Sequence, residues 1–157
     1  MSNFIYGRIV TTDKSIAVDS TLYYTMTNYC LLNEFGLHFI DTLPTKNTVK
    51  DLNFQLSDNS AVSYCEFFME PIIYTLEGKP LTQKINNDIS KIQGLICKIF
   101  EYPFIKKIEL RFSYIEVDEE EYEVYQTSIY EMKKLIFEKF LSANGFPVMN
   151  IIITKNE

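Results

Sequence analysis

The chain has 157 residues, 46% of them hydrophobic and 15% aromatic, and a formal net charge of -6. A single domain of this length buries roughly two-thirds of the surface its unfolded chain exposes, and five glycines and five prolines are too few for a disordered polymer. Uniform acidity repels phosphate, which excludes nucleic acid and anionic membrane as expected partners, and no apolar run approaches the ~20 residues of a membrane span.

Asn3–Thr11 carries Phe4, Ile5, Tyr6, Ile9 and Val10 and is predicted as a first strand. After a polar connection, Ser20 is placed to cap a helix running to Phe35, with Gly36 as its stop. Residues 37–43 read as a short strand ending at Pro44, and 42–51 as a polar loop. Leu52, Phe54 and Leu56 alternate before the turn Ser57-Asp58-Asn59-Ser60. Residues 61–69 are again strand-like, so a hairpin is predicted. Residues 71–76 extend the sheet before the turn Glu77-Gly78-Lys79-Pro80.

In the second half, Ile85, Ile89, Ile92, Ile96 and Ile99 form one helical stripe, with Asn87 or Asp88 as its cap and Pro103 beyond its end. Gly94 weakens that helix by about 1 kcal/mol relative to Ala. Ile108, Leu110, Phe112 and Tyr114 then alternate with Lys107, Glu109, Arg111 and Ser113, a strand with one buried and one solvated face. Tyr122, Tyr125, Ile129, Met132, Ile136 and Phe140 make a second helical stripe, stopped at Asn144-Gly145. The final strand, 148–154, is apolar on both faces and belongs in the sheet interior. A strand, a helix and a strand in succession predict a crossover. The expected fold is one α+β domain over 1–157: a mixed sheet of five to six strands with three helices packed on it.

Cys30, Cys65 and Cys97 are odd in number and widely spaced, which argues against a disulfide framework or zinc site and suits a reducing cytoplasm. They are expected as small buried hydrophobes. The opening MSNFIYGRIV lacks the pattern of a secretory signal, so a cytoplasmic location is expected.

The least ordinary stretch is YIEVDEEEYEVY. Six carboxylates, Glu116, Asp118, Glu119, Glu120, Glu121 and Glu123, fall within ten residues, and no base lies between Arg111 and Lys133. Asp118 with Glu121 has capping-box spacing, and acids in a first turn oppose the helix macrodipole favourably. An alternative helix start at Ser128, with Glu131 three residues on, would leave the acids in a loop. Like charges four apart, as at Glu116/Glu120 and Glu119/Glu123, are unfavourable in a helix, and a basic partner would relieve their repulsion. The spacing fits neither a calcium loop, which needs a central glycine, nor a di-metal site, which needs Glu-x-x-His pairs. No metal or cofactor is therefore expected.

His38 is the one histidine, on a predicted strand beside Leu37 and Phe39, and a structural role suits it. No G-x-S-x-G elbow and no Gly-rich phosphate loop occurs, so the chain is expected not to be an enzyme.

In its size, acidity, Tyr- and Asn-rich composition and the stretch YIEVDEEEYEVY, the chain resembles the immunity proteins of bacterial polymorphic toxin and contact-dependent inhibition systems. That resemblance implies a cytosolic protein that binds one toxin domain, often a basic nuclease, and blocks its active site. The binding residues it suggests are Glu116, Asp118, Glu119, Glu120, Glu121 and Glu123, which supply an attractive field, with Tyr130 beside them. Two alternatives stay open: an inhibitor of phage or plasmid origin that mimics nucleic acid, and a small enzyme of unrecognised class.

Overall fold

Alternation along the first strand sets the geometry of the rest. Ile5, Gly7 and Ile9 point to one side and are buried, while Phe4, Tyr6, Arg8 and Val10 point to the other and are half-buried. The computed structural model describes residues 3–11, 20–34, 36–40, 52–57, 81–114, 122–142 and 147–155. In chain order these form β1 (Asn3–Thr11), α1 (Ser20–Leu32), β2 (Gly36–Ile40), β3 (Leu52–Ser57), α2 (Leu81–Phe100), β4 (Ile105–Tyr114), β5 (Glu123–Ser128), α3 (Met132–Ser142) and β6 (Met149–Thr154). The sheet order is β2-β3-β1-β4-β6-β5. Every neighbouring pair is antiparallel except β5 and β6, which are parallel and joined through α3. This is the mixed six-stranded α+β sheet that the sequence predicts.

Register carries one apolar face across the sheet. Leu56, Phe54 and Leu52 of β3 stand opposite Ile5, Gly7 and Ile9, which stand opposite Phe112, Leu110 and Ile108 of β4. Met149, Ile151 and Ile153 of β6 complete that face. Leu22, Met26 and Cys30 of α1, Ile89, Ile92, Ile96 and Ile99 of α2, and Met132, Ile136 and Phe140 of α3 join the same buried cluster. The three helices therefore share one side of the sheet, with α2 touching both α1 and α3.

Two glycines permit close approaches. A Cβ at Gly7 would overlap the fully buried Phe54 ring, which lies across that gap. A Cβ at Gly94 would overlap Tyr29 of α1, whose hydroxyl donates to the Lys91 carbonyl at 2.8 Å. Gly94 is thus the notch in α2 that admits α1.

Several expectations change. The first helix ends at Leu32, not Phe35. Asn33 closes it with its side-chain amide on the Tyr29 carbonyl at 2.9 Å, and Glu34 takes the left-handed turn at φ 63°. Gly36 is not the stop but the first residue of β2, paired with Ser57. β3 is held by β1 on one edge and β2 on the other, and the hairpin partner expected at 61–69 lies outside the described residues. Residues 42–51 and 61–76 lie outside the described residues. The second helix begins at Leu81, so Asn87 and Asp88 fall inside it rather than at its cap, and Asp88 is buried. Cys30 is buried as expected, its thiol pushed up to about 12 by burial, whereas Cys97 faces outward.

The largest change concerns the second helical stripe. Glu123–Ser128 is a strand, and α3 starts only at Met132. Ser128 is the cap: its hydroxyl accepts the Glu131 amide at 3.2 Å, one half of the capping box expected as the alternative start. The crossover accordingly joins β5 to β6, while β4 runs antiparallel to β6. No described helix is long and apolar enough to cross a membrane.

Candidate functional site

The acid run joins β4 to β5, and register fixes where its ends lie. Phe112 of β4 pairs with Met149 of β6, and Met149 pairs with Glu123 of β5. The end of β4 at Tyr114 and the start of β5 at Glu123 therefore both lie at the starting end of β6. Glu116, Asp118, Glu119, Glu120 and Glu121 lie outside the described residues, but both ends of their segment are placed.

Those ends are tied together on the side of the sheet away from the helices. The Tyr122 hydroxyl donates to Ser113 Oγ at 2.7 Å, and the Arg111 guanidinium lies 4.6 Å from the Tyr122 ring centroid. This is cation–π geometry, worth about 0.5–2 kcal/mol depending on solvent exposure. Arg111 pairs across β1 with Tyr6, which stacks on Phe4 at 5.7 Å between centroids. Burial, and then the neighbouring Tyr122, holds the Tyr6 hydroxyl above its ordinary titration range. The described residues at the two ends of the segment thus meet an aromatic cluster of Phe4, Tyr6 and Tyr122 with the Arg111 guanidinium in it. Farther along the same face, Arg8 and Glu109 form an ion pair at 3.0 Å, joined by Lys107 at 3.9 Å from Glu109.

Glu123 is the one acid of the run in the described strand, and it is exposed. It sits on the helix side of β5 with Tyr125, whose hydroxyl donates to its carboxylate. Lys139 of α3 lies 4.2 Å above the Tyr125 ring. A hydrogen bond with Tyr125, then the charges of Tyr125, Glu123 and Glu138, hold the Lys139 ammonium above its usual range. Glu123 therefore has a local counter-charge, which sets it apart from a free docking carboxylate. On the other side of β5, Val124 is 58% exposed, and among the described residues β5 pairs on one edge alone, with β6.

Tyr130 is 73% exposed in the turn between β5 and α3. In a continuous helix it would stand near the acids. As built, it lies at the far end of β5 from Glu123, about 20 Å of strand away. Tyr122, expected to brace a helix, braces β4 instead, while Tyr125 does lie under α3. Sequence reasoning missed Tyr6 and Phe4 at this end of the sheet, because only strand pairing brings them there.

His38, on β2, points to the face away from the helices, its Nε2 3.4 Å from Ser57 Oγ. Among the described residues, no three or more of His, Cys, Asp and Glu gather as metal ligands. No family model, no curated protein and no solved structure matches this chain.

Proposed function

We propose that this chain is a binding protein that docks a basic protein domain on the acidic end of its sheet, in the manner of an immunity protein that covers a toxin's active site. One observation carries the reading: α3 begins at Met132 and is capped by Ser128, so none of the acids sits in its first turn. The macrodipole of α3 therefore does not account for Glu116, Asp118, Glu119, Glu120 and Glu121. Clustered carboxylates repel one another at some cost in stability, and a cationic partner relieves that cost.

The surroundings suit the role. The segment is anchored at its base by Tyr122 on Ser113 and by Arg111 on Tyr122. It adjoins the edge strand β5, where Val124 offers apolar surface. Acidic fields raise association rates with basic clefts, and aromatic side chains at a contact slow dissociation. A nuclease whose cleft binds phosphate is a partner of that chemistry.

The test is affinity capture from a lysate of the source organism, run with the wild-type chain and with the E119Q/E120Q/E121Q variant. The expected result is one stoichiometric basic protein on the wild-type chain, released by raised salt and lost from the variant. Equal capture by both chains would refute this docking site. Capture of nothing by either chain at low salt would count against the binding reading itself.

A further inference from the structure

We draw no further inference here: the strongest candidate, the outer edge of β5 beside the exposed Val124, where among the described residues β6 is the strand's one neighbour, adjoins the site already described, and nothing in the structure shows what covers it.

Discussion

The two ends of the sheet solve different problems. At the β2 end, α1 is neutral and is seated by shape: Tyr29 fits the notch at Gly94, and its hydroxyl reaches the Lys91 carbonyl. At the β5 end, six carboxylates precede a helix whose first turn holds none of them. α3 is held by Met132, Ile136 and Phe140, with Phe140 edge-on to Phe112 at 5.8 Å, and its cap is a neutral serine. A feature that packing explains tells little about partners. A costly feature that a helix start does not explain is the better place to look for a partner, and the proposed reading rests on the acid run for that reason.

The comparison breaks most readily at Gly94. In an ordinary helix Gly→Ala gains about 1 kcal/mol. Here the added methyl must displace Tyr29 from its seat, so Gly94→Ala is expected to lose roughly 1–3 kcal/mol, the range for overpacking. Urea denaturation gives the sign directly, and a gain would mean that α1 does not dock in this notch. At the other end, the Glu131 amide donates to both the hydroxyl and the backbone carbonyl of Ser128, each at 3.2 Å. Ser128→Ala therefore removes one of two acceptors and is expected to cost about 0.5 kcal/mol, the low end for a lost cap. No loss in the same assay would mean that the Ser128 carbonyl alone satisfies the Glu131 amide and that the hydroxyl does not act as a cap.

The smallest effect belongs to Glu34, in the left-handed region at φ 63°. Relief of about 1–2 kcal/mol of backbone strain is offset by the roughly 0.5–1 kcal/mol that glycine's freedom costs on folding. Glu34→Gly should therefore raise stability by some tenths of a kcal/mol, visible as a small upward shift in melting temperature. A clear loss would show that the helix ends elsewhere.

What the sequence discloses follows the strength of local pattern. β1, the body of α2, β4 and the interior placement of β6 were legible because their apolar periods agree with their final burial. β5 was not. Tyr122, Tyr125 and Ile129 step by three and four and join smoothly to Met132, Ile136 and Phe140, so a helical period runs through a segment that folds as strand. The contrary signal was in the same residues: Val124, Tyr125 and Thr127 are strong β-formers, and Ser128 with Glu131 marks a later helix start. Pairing with β6 decided between them, and pairing is a tertiary fact. The same limit applies to the candidate site. The acids were plain in the sequence, whereas the cluster of Tyr6, Arg111 and Tyr122 exists only once β1 and β4 lie side by side. Glycine carried the opposite lesson: Gly94 read as a local weakness and is a tertiary requirement.

The account's central claim is that the carboxylates of the acid run do not serve the fold. The most direct test is the stability of the E119Q/E120Q/E121Q variant, measured by urea denaturation at low ionic strength, where charge effects are least screened. Glu123 is left intact because its carboxylate accepts from Tyr125. If these acids formed a helix's first turn, neutralising them would cost about 0.3–1 kcal/mol each. The account predicts no loss, with a small gain from relieved repulsion; a clear loss of stability would contradict it.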